Sequence, residues 1–247
     1  MALIKTDALV IKASDYSEST RLVTLFSPEH GRIRLLAKGI KRIRSRDRGA
    51  LEPFSRVQVT LVLKDPTGLG ILRESSLMSS ATALREDYDR WLLASLVLEV
   101  IDRATLPASD LRGLFELVCA YLDEMNTSDR PAEVTLAVLA AILHWFGFGP
   151  EFERCGVCGG DGPFKGFRID RCGVVCENCA GGSTYFRPLP PGTIRVLEHL
   201  SAPGEKNLGA LRISRPQLDD LFLLLVGLLQ YHLEITLTTA RMLNLAK

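Results

Sequence analysis

From Leu3 to Lys12 the chain is dense in Leu, Ile and Val, and the polar run Ala13-Ser14-Asp15-Tyr16-Ser17-Glu18-Ser19 ends it, which predicts a strand and a turn. Arg21-Leu22-Val23-Thr24-Leu25-Phe26 predicts a second strand that stops at Ser27-Pro28-Glu29-His30-Gly31, where Pro and Gly punctuate a loop. A period-two pattern restarts at Arg32-Ile33-Arg34-Leu35 and puts Arg32 and Arg34 on one face. Val57 to Leu63 alternates through its first half, Asp65-Pro66-Thr67-Gly68 turns, and Leu69 to Glu74 returns. About five short strands in the first 80 residues predict a compact β-barrel or sandwich.

From Ala81 the period becomes helical, with Trp91, Leu92, Ser95, Leu96, Leu98 and Glu99 predicting one helix to about Arg103 before Pro107 ends the segment. Leu111 to Met125 predicts a second helix. Ser128-Asp129-Arg130-Pro131 supplies capping residues and an early proline for a third, Ala132 to Phe146, and Gly147-Phe148-Gly149-Pro150 breaks it. A short helix follows around Thr193 to Leu200. Ser214-Arg215-Pro216-Gln217 then has the capping-box pattern that opens a long apolar helix to about Leu245. The fold class expected is α+β with more than one domain: a small N-terminal β-barrel over residues 1–80, and a helical domain over 81–247 that carries a four-cysteine unit at 151–182.

That unit reads CGVCGGDGPFKGFRIDRCGVVCENC from Cys155 to Cys179, and its two Cys-x-x-Cys pairs have the spacing of a four-thiolate zinc site. Each pair brings two sulfurs to one ion from a single tight turn, and four sulfurs fill a tetrahedral shell. Cys155, Cys158, Cys176 and Cys179 are therefore the candidate ligands of one structural zinc. A pair of disulfides or a ligand-free loop are the alternatives. Cys172 lies four positions before Cys176, so a Cys172/Cys176 pair is conceivable; the spacing of Cys176 and Cys179 mirrors the first pair better, and Cys172 is read as a non-ligand. Arg154, Arg168, Arg171 and Arg187 flank the thiolates, either offsetting their charge or as ordinary surface residues.

With 247 residues and 47% apolar composition the chain can bury a substantial core. The residues after Met1 do not form the basic and apolar regions of an export signal, so a reducing, cytoplasmic setting is expected. The longest apolar run, Leu221 to Leu229, is far shorter than the roughly 20 residues that span a bilayer, and it reads as a buried helix. The net charge of +1 averages over an uneven distribution. Between Arg32 and Arg48 stand Arg32, Arg34, Lys38, Lys41, Arg42, Arg44, Arg46 and Arg48, opposed only by Asp47. A strand feeding such a segment offers repeated charge-assisted contacts to phosphates; the alternative is a solvated loop that only aids solubility. Tyr16, Phe26 and Phe54 are the only aromatic residues before position 80, so backbone contact without sequence readout is expected there.

No catalytic constellation competes. His30, His144, His199 and His232 are scattered, no phosphate-binding Gly-x-x-x-x-Gly-Lys-Ser/Thr loop is present, and Asp219 and Asp220 diverge by about 100° on a helix. Cys119 lacks an identified base and reads as core. A zinc hydrolase needs an open coordination position that four thiolates do not leave. The expectation is a protein without turnover, either a nucleic-acid-binding protein or a zinc-containing adaptor for protein partners alone.

The order of Tyr16-Ser17-Glu18-Ser19-Thr20-Arg21, Pro28-Glu29-His30-Gly31-Arg32, Ala37-Lys38-Gly39 and Leu51-Glu52-Pro53-Phe54, followed by helices interrupted by the four cysteines, resembles the RecO family of recombination mediators nearly end to end. The resemblance implies an N-terminal OB-fold, a helical domain with a zinc unit, and binding to single- and double-stranded DNA. It also implies strand annealing, partnership with RecR and with the C-terminal tail of single-stranded DNA-binding protein, help in loading RecA, and a cytoplasmic, nucleoid-associated location. Members differ in keeping the four cysteines, so the metal expected here rests on the spacing in this chain.

Overall fold

The computed structural model describes residues 2–40, 50–63, 68–107, 109–202 and 212–243. Lys41, Arg42, Arg44, Arg46 and Arg48 lie outside the described residues. The described chain forms two compact units, Met1–Ser128 and Asp129–Lys247.

In the first unit five strands close into a barrel: β1 (Ala2–Asp15), β2 (Thr20–Ser27), β3 (Gly31–Lys38), β4 (Arg56–Leu63) and β5 (Leu69–Ser79), in the order β1-β2-β3-β5-β4. Neighbours are antiparallel except β3 and β5, which run parallel from Arg34 opposite Leu69 to Leu36 opposite Ile71. β1 serves two partners. Its residues up to Leu9 pair with β4, those from Leu9 onward pair with β2, and a bulge between Val10 and Lys12 turns the strand between them. Alternation sends Ala8, Val10, Val23, Leu25, Ile33, Leu35, Val57, Val59 and Leu61 into a shared core. β5 runs on to Ser79, past the Glu74 expected from the pattern. Its later residues are mostly exposed and carry no alternation; pairing with β4 across two register shifts holds them in line.

The single helix expected from Ala81 to Arg103 is two, α1 (Thr82–Glu86) and α2 (Tyr88–Ala104). Asp87 divides them: it is extended, and its side chain accepts from the N–H groups of Asp89 and Arg90 as an N-cap. α3 (Arg112–Met125) lays Phe115 against Phe26 on the outside of the barrel, with ring centroids 5.7 Å apart. Gly31 is positioned by the same unit. Its φ is +59°, and a Cβ there would lie 2.2 Å from the Leu106 carbonyl. The strands end near the expected boundary at residue 80, while the compact unit holding them continues through α3.

The second unit contains α4 (Pro131–Trp145), a three-stranded sheet of order β7-β6-β8 made from β6 (Phe164–Arg168), β7 (Gly173–Cys176) and β8 (Phe186–Pro188), then α5 (Pro191–Ser201), α6 (Arg215–His232) and α7 (Thr238–Met242). Pro131 occupies the first turn of α4, where a missing N–H costs nothing. At the start of α6 the Ser214 N–H donates to Gln217 Oε1 (3.1 Å), the return bond that the capping pattern anticipates, and the Ser214 hydroxyl donates to the same oxygen (2.9 Å). The helix expected to reach Leu245 ends at His232, because Glu234 takes φ +54° and α7 is a separate turn. α4 packs on α5 and α6, and the 3-10 turn Ile169–Arg171 packs on α6.

Candidate functional site

The four cysteines read from spacing converge. One sulfur from each of Cys155, Cys158, Cys176 and Cys179 lies within 4.8 Å of every other, and Cys158 Sγ is 3.7 Å from Cys176 Sγ. Two tight turns deliver them. In the first, Gly159 N–H donates to Cys155 O (2.8 Å) and Cys155 N–H to Gly160 O (2.9 Å), with Gly159 at φ +71°. In the second, Cys176 ends β7 and a 3-10 turn, Glu177–Cys179, follows at once. The β6-β7 pairing places Cys176 opposite Phe164, and Phe164, Val175 and Phe186 pack around the sulfurs.

The electrostatics of the cluster favour a cation. Burial pushes the Cys155 thiol up, but the N–H groups of Cys158, Cys176 and Val157 directed at its sulfur outweigh that and lower it to about 6. Cys179 goes the other way, pushed up to about 12 chiefly by its hydrogen bond with Cys158, with burial adding to it. One thiolate thus forms readily and a neighbour resists ionising beside it. A bound cation would relieve that repulsion and let all four sulfurs act as thiolates. The arrangement can hold a metal ion.

Cys172 stands apart. It sits at φ +47°, and its thiol donates to Phe148 O at 3.1 Å, away from the cluster. Burial pushes it up to about 12. Of the flanking cations, Arg168 binds both carboxylate oxygens of Asp170, and Arg171 approaches that carboxylate only at 3.9 Å. Cys119, in α3, is buried and its thiol is pushed up to about 11 by desolvation.

Of the basic residues read from the sequence, three are described. β3 alternates strictly, so Arg32, Arg34 and Lys38 all leave the barrel on its outer side. They are not equivalent. Arg34 and Lys38 are exposed, whereas Arg32 Nη1 donates to Asp102 O at 2.5 Å, with Asp102 Oδ1 3.7 Å away. Arg32 therefore anchors the last turn of α2 to the barrel, a use that no sequence pattern announces.

Sequence reasoning missed an aromatic pair. Tyr185 and Tyr231 lie far apart in the chain, yet their rings meet at 5.2 Å and 65° on the surface of the second unit. No sequence pattern links the two stretches, and only the fold unites them.

The N-terminal and C-terminal parts of the chain match two models of one family. The model described as Recombination protein O N terminal matches residues 1–81, and that described as Recombination protein O C terminal matches residues 85–241. The chain belongs to the RecO family of DNA repair proteins. It is 32% identical over 196 residues to a protein named DNA repair protein RecO from Bacillus pumilus, covering 79% of this chain and 75% of that one. The RecO of Geobacter metallireducens is 31% identical over 235 residues (94% and 93%), and that of an Anaeromyxobacter species 31% over 248 residues (99% and 97%). Among the described residues no helix of this RecO-family chain is long and apolar enough to cross a membrane.

Proposed function

We propose that this protein is a recombination mediator without turnover, which binds single- and double-stranded DNA through its barrel, anneals complementary strands, and with RecR helps load RecA onto DNA coated by single-stranded DNA-binding protein. The observation that carries the reading is the barrel itself. A closed five-stranded barrel containing a parallel β3-β5 closure fits the OB-fold, which binds oligonucleotides on its strand faces. Here β3 presents Arg34 and Lys38 outward and runs into the basic residues up to Arg48. Such a surface attracts phosphates without reading bases. The tail of single-stranded DNA-binding protein would be met by the helical part, and the setting would be the cytoplasm at the nucleoid.

The ion we assign to the cysteines is one structural zinc. Tetrahedral bonds of about 2.3 Å put sulfurs about 3.8 Å apart, and the 3.7 Å between Cys158 and Cys176 suits that geometry. Cys155, Cys158, Cys176 and Cys179 would fill the shell, so the ion would staple the turns together with no position for substrate. We also read the protein as one without turnover. A cleft of about 710 Å³ in the first unit holds paired charges, Asp7 with Arg56 and Glu29 with Arg112. Its thiol, Cys119, is shifted away from nucleophilic ionisation.

Binding of a fluorescent oligonucleotide across a salt series tests the reading. About five phosphate contacts on a single strand give a slope of log K against log salt of roughly −3.5. A protein that binds no oligonucleotide at low salt yet captures RecR would be an adaptor, and the mediator reading would be abandoned.

A further inference from the structure

Tyr185 precedes β8 and Tyr231 stands in the last turn of α6; they are 42% and 43% exposed. Exposed rings are normally free to move, but this pair is held from behind. Tyr231 meets the His232 ring edge-on at 5.0 Å, and His232 stacks on Phe148 at 4.7 Å. His232 Nε2 lies 2.8 Å from the carbonyl oxygen of Ile169, and the N–H of Ile169 donates to the carbonyl of Tyr185 at 3.1 Å. A closed circuit thus runs from one tyrosine through the 3-10 turn to the other. The backbone at Tyr185 and the ring of Tyr231 are thus held before any ligand arrives, and the two rings brace each other, so less side-chain entropy is lost when something settles on them.

The charge beside the rings indicates what settles there. Arg187, two residues beyond Tyr185, is exposed, donates only to the carbonyls of Thr184 (3.4 Å) and Phe186 (3.3 Å), and forms no ion pair among the described residues. Arg171 leaves the same 3-10 turn and, among the described residues, pairs only with Asp170, at 3.9 Å, whose carboxylate already binds Arg168. The exposed rings offer face area outside any pocket, and Arg187, two residues along the chain from Tyr185, has spare guanidinium donors. Flat faces suit bases and the guanidiniums suit phosphates.

We propose that Tyr185 and Tyr231, flanked by Arg187, form a second nucleic-acid contact on which bases of a single strand stack. This rests on the reading that the protein binds DNA, but it assigns a different surface and a different physical term from the charge of the barrel segment. The test compares an oligo-dT with an abasic oligonucleotide of equal length and charge. Wild-type protein should bind the dT strand about 5-fold or more tightly than the abasic one. The Y185A/Y231A variant should bind both alike, with an unchanged salt slope, while Y185F/Y231F keeps the wild-type preference. R187A should make the slope shallower by about 0.7. Metal content and melting temperature certify the variants as folded, and the wild-type comparison needs no variant.

If wild-type protein binds both strands equally along a steep salt slope, DNA binding by charge stands and the stacking site is wrong. The same holds if folded Y185A/Y231A retains the preference for bases. Binding of neither strand would remove the DNA-binding reading together with this one.

Discussion

Arg32 and Arg34 stand two residues apart on one strand face, carry the same charge, and should respond to substitution in opposite ways. Replacing Arg32 by Ala removes the charge-assisted bond to Asp102 O and leaves a carbonyl of the last turn of α2 without that donor. A hydrogen bond to a charged group contributes about 1.5–3 kcal/mol; with the Arg32 side chain 29% exposed we discount this to roughly 1–2 kcal/mol. For a unit of this size that is a fall in melting temperature of roughly 4–8 °C. Asp102→Ala should cost less, because it removes only the 3.7 Å carboxylate contact and leaves the carbonyl acceptor in place. Replacing Arg34 and Lys38 together breaks no contact of this kind among the described residues, so stability should hold while the salt slope for a single strand becomes shallower by about 1.4. The assay is paired: thermal unfolding and oligonucleotide anisotropy at five or so salt concentrations on the same preparations. An Arg32→Ala protein with wild-type melting and a slope shallower by about 0.7 would show that Arg32 serves phosphate and not α2, and the division of labour would be refuted.

Changing Lys41, Arg42, Arg44 and Arg46 together to Ala should make the slope shallower by up to about 3 and weaken all oligonucleotide sequences alike; an unchanged slope would place the main contacts elsewhere. Cys176→Ser with Cys179→Ser should abolish bound zinc and lower thermal stability, checked by elemental analysis and melting, and full zinc content in that variant would exclude the four-thiolate site. Cys172→Ser, by contrast, should keep stoichiometric metal, since that thiol is committed to Phe148 O. Purified protein should anneal complementary strands without ATP, and nucleotide hydrolysis by it would contradict a mediator without turnover.

The parts legible in the sequence are those where one local signal decides the structure. The barrel strands announced themselves because alternation of Ile33, Leu35 and Ala37 against Arg32, Arg34 and Lys38 has no helical reading. The clustering of the four cysteines was equally legible, since thiol spacing suited to one ion survives any surrounding fold. Asp87 was missed as a boundary because the apolar residues on either side of it fit a helix, and the cap depends on a single side chain accepting two N–H groups. The end of α6 was invisible for a different reason: Glu234 adopts φ +54° without the glycine that ordinarily marks such a stop, and what surrounds it, the His232 bond to Ile169 O, is made with residues some sixty positions earlier. Tyr185 and Tyr231 share that origin. Contacts between distant segments leave no periodic trace in either one.

The proposed ion and the aromatic pair are therefore one mechanical problem. The sheet that presents the thiols has strands of 5, 4 and 3 residues and a small apolar cluster of Phe164, Val175 and Phe186 around the sulfurs. Such strands bury too little to hold themselves, so the free energy of an ion bound there is largely the free energy of folding that segment. Ile169 lies between β6 and β7 within this segment, and it is the residue that both bonds Tyr185 O and accepts from His232. Loss of the ion would loosen that turn first, and with it the support beneath Tyr185 and Tyr231, while the barrel strands keep their own core. On this reasoning a chelator that strips the ion should erase the preference for bases over abasic sites and leave most of the salt slope intact, because stacking depends on the circuit and phosphate attraction on the barrel does not.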